Sequence, residues 1–174
     1  MLKLYSNKRK RENQMSMYGD RAYAAFFKGY NCCQSVAVAF ADEMGMTEKQ
    51  ALQLSAGFGG GFGRMREVCG AFSGITLVLG ALYGSDDPAQ KTALYTEVQA
   101  LAAEYKARNG RGSIICRELL GLQAAEGSPV ASPRTPEYYK KRPCPELCRM
   151  AADILAEYIA AHPITNRNPS EKRN

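Results

Sequence analysis

The sequence has no tryptophan and a single histidine, His162. One histidine cannot build a multi-histidine metal site, and it leaves little support for a cysteine–histidine nucleophile pair. Placed beside Pro163 at the end of the last expected helix, His162 reads as a partner for the helix dipole rather than as a base. No C-x-x-C pair occurs, which removes the zinc-ribbon, thioredoxin-type and c-type haem readings. Long apolar runs are missing too: the longest nearly apolar stretch, Gly70 to Leu82, is too short and too glycine-rich to span a bilayer. The basic N-terminal MLKLYSNKRKREN has no apolar segment behind it and does not read as a signal peptide. No membrane insertion and a cytoplasmic location with reduced thiols are therefore expected. Alternation with period two is absent over any useful length, which leaves an all-α fold as the expectation.

An excess of charge is present, but not where a nucleic-acid-binding face would need it. Of the formal net charge of +6, residues 1–14 carry +4 (Lys3, Lys8, Arg9, Lys10, Arg11 against Glu12) and residues 163–174 carry +2 (Arg167, Lys172, Arg173 against Glu171). Residues 15–162 balance fifteen basic against fifteen acidic side chains. The expected organisation is one domain over 15–162 between two solvated basic tails, with no specific nucleic-acid partner. The ten tyrosines are scattered and form no stacking platform.

Within the domain the apolar pattern is helical throughout, and the spacing predicts a compact bundle of six to seven helices. The first runs from about Met17 to Lys28 and stops at Gly29. A second covers about Cys32 to Glu43. A third, short helix follows the cap Thr47 and ends near Ala56. After the glycine-rich run Gly57–Gly63, a fourth spans about Cys69 to Tyr83. Its face carries Gly70, Ala71, Ser73 and Gly74, small enough to admit another backbone. Ser85-Asp86-Asp87-Pro88 starts a fifth helix that reaches about Arg108, with Leu94, Val98, Leu101, Ala102 and Tyr105 as its buried stripe. A short sixth covers Ile115 to Leu120, residues 122–143 read as loop, and the last runs from Cys144 to about Ala160.

Six cysteines in such a chain call for a reason. Cys148, inside the last helix, and Cys33, pointing about 100° away from Cys32, read as small core residues. The other four, Cys32, Cys69, Cys116 and Cys144, all fall at expected helix N-termini, where unpaired N–H groups and the positive dipole end favour a thiolate. Basic residues flank three of them: Arg64 and Arg66 before Cys69, Arg117 after Cys116, and Lys140, Lys141 and Arg142 before Cys144. Four thiolates brought together by the fold suit an iron–sulfur cluster or zinc, and two redox-active disulfides are the metal-free arrangement.

The glycine run could cradle an anion, with Gly59 to Gly63, Arg64 and Arg66 as the place. It follows a helix rather than a strand and lacks the Lys-Ser/Thr of a P-loop, so a tight turn between packed helices is the better reading.

The blocks GYNCCQSVAVAF, SAGFGGGFGRMREVCGAFSG, CRELLG and CPELCRMAADIL resemble, in this order, the recurring elements of the C-GCAxxG-C-C family of redox-active proteins. The second block carries the signature C-G-A-x-x-G on Cys69, Gly70, Ala71 and Gly74. The resemblance covers about residues 18–160. It implies a redox role for Cys32, Cys69, Cys116 and Cys144, with Gly70 and Gly74 in the motif; Arg64, Arg66 and Arg117 support the site by their charge beside the cysteines. A related domain occurs in some multi-domain redox cytochromes, so an iron–sulfur cluster and electron transfer to a redox partner protein are the leading expectations; the alternative is a four-cysteine zinc or disulfide site in a structural or partner-binding helical module. Cys33 and Cys148 are additions to the family pattern and gain no role from it.

Overall fold

The computed structural model describes residues 17–124 and 128–164, so the 1–14 tail and most of the 163–174 tail lie outside the described residues. The described chain is all-α. Its helices are α1 (17–27), α2 (Cys32–Ala39), α3 (Glu48–Ser55), α4 (Gly70–Tyr83), α5 (Lys91–Arg108), α6 (Cys116–Leu119), α7 (Pro136–Lys141) and α8 (Cys144–Ala161). Among the described residues there is no strand, only an isolated antiparallel bridge between Val68 and Ile115. No described helix is long and apolar enough to cross a membrane.

Capping explains where several helices begin. Asn31 and Gln34 form a capping box on α2: the Gln34 N–H donates to Asn31 Oδ1 and the Asn31 N–H donates to Gln34 Oε1, both at 3.0 Å. Thr47 and Gln50 repeat the device on α3, each cap stabilising its helix by about 1 kcal/mol. The Asn31 side chain also donates to Ala56 O at 2.9 Å, which ties the start of α2 to the end of α3.

Helices α2, α4 and α8 pack on one another, with α5 against α4 and α8. Their shared interior holds Phe26, Val36, Phe40, Ile75, Val78, Leu79, Ile154 and Leu155, all essentially inaccessible. Each such side chain contributes about 1.5–3 kcal/mol by leaving water. The small face of α4 has the expected purpose. A Cβ on Gly74 would lie 2.6 Å from Val36 Cβ, and one on Gly70 would lie 3.1 Å from Cys32 Cβ. Only glycine lets α4 sit this close to α2.

Three expectations change. Helix α2 ends at Ala39 rather than near Glu43. Residues 40–45 continue as tight turns in which Phe40 N and Ala41 N donate to carbonyls three residues back, at Ala37 and Val38. Residues 122–143 contain a helix, α7, whose start signal is Thr135-Pro136: the Thr135 hydroxyl accepts from Tyr138 N and the proline occupies the first turn. Finally, α5 buries only Leu101 and Tyr105 of its expected stripe, while Leu94, Val98 and Ala102 are half-buried.

Candidate functional site

The four cysteines open four different helices. Cys32, Cys116 and Cys144 are the first residues of α2, α6 and α8, and Cys69 is the N-cap of α4. All six cysteines are free thiols and all are buried.

Backbone geometry brings these helix starts together. The Val68–Ile115 bridge aligns the residues just before Cys69 and Cys116. Cys69 N donates to Ile114 O at 2.7 Å and Cys116 N to Glu67 O at 2.6 Å, so the two helix starts are clamped side by side. Gly70 seats α4 against Cys32, as described above. Helix α8 closes the group: the Cys148 thiol donates to Cys32 O at 3.7 Å, and the thiols of Cys144 and Cys148 stand near enough to that of Cys32 to shift its proton affinity. Cys69 stands within electrostatic reach of Cys32, Cys116 and Cys144, and Cys116 within reach of Cys144.

The glycine-rich segment wraps this end of the bundle. Residues 60 to 64 all have positive φ: Gly60 65°, Gly61 73°, Phe62 58°, Gly63 57° and Arg64 72°, with Arg66 at 63°. Three non-glycine residues in the left-handed region each cost about 1–2 kcal/mol. The turn is held by backbone bonds that each span six residues, among them Gly63 N to Gly57 O at 2.9 Å and Arg66 N to Gly60 O at 3.2 Å. It touches the site twice. Gly59 packs on Asn31, the residue before Cys32, and Gly61 packs on Cys116. The tight-turn reading therefore describes the loop, and its closeness to the cysteines was not legible in the sequence.

The expected arginines divide. Arg66 is only 4 % exposed and its side chain hydrogen-bonds the sulfur of Cys116. Arg64 instead donates to Ser128 O at 3.1 Å and Ser132 Oγ at 3.0 Å, fastening the 128–135 segment. Arg117 pairs with Glu67 at 3.0 Å. Arg134, not singled out in the sequence, donates to Tyr30 O at 2.9 Å and lies over the rings of Phe26 and Tyr138. Together with Arg142 it adds positive charge near Cys144. Lys140 and Lys141 lie in the last turn of α7 and are exposed.

Thiolates at rest, expected from the helix termini, are not what the geometry favours. Burial pushes Cys69 up to about 11 and Cys33 up to about 12. Cys144 is held well above the ordinary range by its bond to Cys32 and by burial. Cys32 is pulled down by Cys144, but the bond to Cys148 and burial outweigh that. Burial also raises Cys116, and the Arg66 guanidinium opposes the rise. Desolvation in a packed interior thus outweighs the dipole ends, and the resting centre is a set of neutral thiols.

Two further residues belong to the neighbourhood. Cys148, read as a core residue, sits one turn beyond Cys144 and its Sγ lies 3.7 Å from Cys32 O. Its sequence signal was the four-residue spacing from Cys144, which places both on one helix face. Tyr105, read as part of an apolar stripe, brings its hydroxyl to 3.4 Å from Cys69 Sγ. Cys33 lies fully in the core, and Ser73 donates back to Cys69 O at 3.2 Å within α4. His162 caps α8 and bonds Tyr158 O through Nδ1 at 2.9 Å, as expected of a helix-terminal residue.

An all-helical domain with buried cysteines at the starts of four helices defines a class: a helical bundle rich in cysteine. Residues 30–158 match the family model described as "Putative redox-active protein (C_GCAxxG_C_C)", and the chain belongs to that family. No curated protein and no solved structure matches it.

Proposed function

We propose that the protein carries electrons through a centre made by Cys32, Cys69, Cys116 and Cys144, and that an iron–sulfur cluster is the group this centre takes up. What supports this reading is that four buried cysteines, each at the start of a different helix, lie within electrostatic reach of one another. The donor set fits such a cluster. It is all sulfur and buried, and the backbone N–H groups of the helix starts can offset the charge of an anionic cluster. When bound, the cluster supplies a one-electron couple. The chain's own part is to exclude water, to hold the sulfurs and, through Arg66 beside Cys116, to balance negative charge. As they stand, no three histidine, cysteine, aspartate or glutamate side chains among the described residues are close enough to hold a metal ion. The thiols are protonated in this state, and ligation releases their protons. Electrons would pass to a redox partner protein, and reduced, disulfide-free thiols suit the cytoplasm. Zinc at the same four sulfurs would keep the site but carry no electrons.

A second reading is favoured by the nearness of the Cys32 and Cys144 thiols, each of which shifts the proton affinity of the other. These two can lose two protons and two electrons to a disulfide of a partner protein, forming one S–S bond here and two thiols there. The readings separate on anaerobic reconstitution with iron and sulfide. The cluster reading expects visible sulfur-to-iron absorption that depends on all four cysteines. Colourless protein that cycles a Cys32–Cys144 disulfide supports the second.

A further inference from the structure

Helix α5 is the least buried of the long helices. Only Leu101 and Tyr105 of its eighteen residues are buried. Tyr105 is 0 % exposed, its ring lies against Phe72, and its hydroxyl is 3.4 Å from Cys69 Sγ. A phenol hydroxyl taken out of water without a good partner costs about 1–3 kcal/mol by mutational data. A neutral thiol is a weak acceptor and a weak donor, so the hydroxyl is poorly served by the resting site. Phenylalanine would supply the same apolar ring without that cost.

The contact becomes favourable when Cys69 carries negative charge. A sulfur that has lost its proton to a metal ion has no hydrogen to give, so Tyr105 must be the donor. Hydrogen bonds to anionic acceptors are roughly twice as strong as neutral ones. They also favour the more negative, reduced state of a sulfur-ligated centre.

We propose that Tyr105 is a positioning residue of the redox centre, donating its hydroxyl hydrogen bond to the Cys69 sulfur and so raising the centre's reduction potential. This rests on the reading of Cys69 as a cluster ligand given above. It gives α5 a role in the centre, since that helix delivers one hydroxyl from outside the α2–α4–α8 core to the N-cap of α4.

The test is Tyr105→Phe in the full chain, which keeps the ring and removes only the hydroxyl. Both proteins are reconstituted anaerobically with iron and sulfide and titrated for cluster content and potential. The proposal expects equal visible absorption and a more negative potential in the variant. An unchanged or more positive potential at equal cluster content overturns it, as a merely structural tyrosine would leave the potential in place. If the wild type takes up no cluster, the cluster reading fails on that result alone. The tyrosine is then read on the reduced thiol, through the infrared S–H stretching band that disappears in Cys69→Ser. A shift of this band in Tyr105→Phe supports the contact, and a band that stays in place overturns the assignment.

Discussion

A Cβ on Gly61 would lie 2.8 Å from the Cβ of Cys116 and 2.7 Å from the backbone nitrogen of Glu67. Gly61 also has φ +73°, where an L-residue is strained by about 1–2 kcal/mol before any clash is counted. The glycine-rich turn is thus fitted to the cysteine centre rather than merely near it. Gly61→Ala is expected to push the turn off Cys116, lowering cluster uptake severalfold while circular dichroism retains the helical signal. Full uptake at wild-type stability would show that the turn does not shape the site.

The α2–α4 contact gives a prediction about folding. Gly74→Ala puts a methyl 2.6 Å from Val36 Cβ and 3.3 Å from the backbone oxygen of Cys33. Overpacking of this kind costs about 1–3 kcal/mol, read as a lower denaturant midpoint with an unchanged slope. Val36→Ala in the same chain should recover little of the loss, because alanine keeps the Cβ that clashes and removes only the γ carbons, of which Cγ1 stands 3.0 Å away.

Much of this fold was legible because helices announce themselves locally. Asn31, Thr47 and Asp87 sit where caps belong, and each accepts a backbone N–H of its helix or turn. The placement of four cysteines at helix starts followed from the same signals. What could not be read was long-range. Tyr105 and Cys69 are 36 residues apart, and nothing local to either announces their contact. The balance between dipole and burial at the thiols was also invisible, since it depends on how deeply each helix start is packed. Helix α7 is a different case: its Thr-Pro start was present, but the surrounding Ser, Pro and charge outweighed it.

Acid–base behaviour offers a check remote from the cysteines. Burial raises Asp153 on α8 to about 6, with Arg149 opposing the shift and Glu157 and Asp20 adding to it. Its folded pKa exceeds the unfolded value, so the folded state binds more protons between about pH 4 and 6. Stability therefore falls as pH rises through that window and levels off above it. Asp153→Asn is expected to flatten this slope and to make the protein more stable than wild type at pH 8. Parallel stability–pH curves for the two proteins would contradict the assignment.

The two additional cysteines are not equivalent. Both are fully buried, but the Cys148 thiol donates to the Cys32 carbonyl oxygen at 3.7 Å and stands near enough to the Cys32 thiol to shift its proton affinity. Cys33→Ala should leave the absorption of the reconstituted protein intact. Cys148→Ala should change its intensity or band positions, because the Cys32 thiol loses a neighbour. Identical spectra from wild type and both variants would return Cys148 to a packing role.

The central claim is tested most directly by reconstituting four single variants, Cys32→Ser, Cys69→Ser, Cys116→Ser and Cys144→Ser, beside the wild type without oxygen. Serine keeps the size of cysteine and removes the soft ligand. Visible sulfur-to-iron absorption is expected in the wild type, with its loss or strong reduction in each variant. Wild-type protein that stays colourless and binds no iron after reconstitution would contradict it, as would absorption that survives all four substitutions.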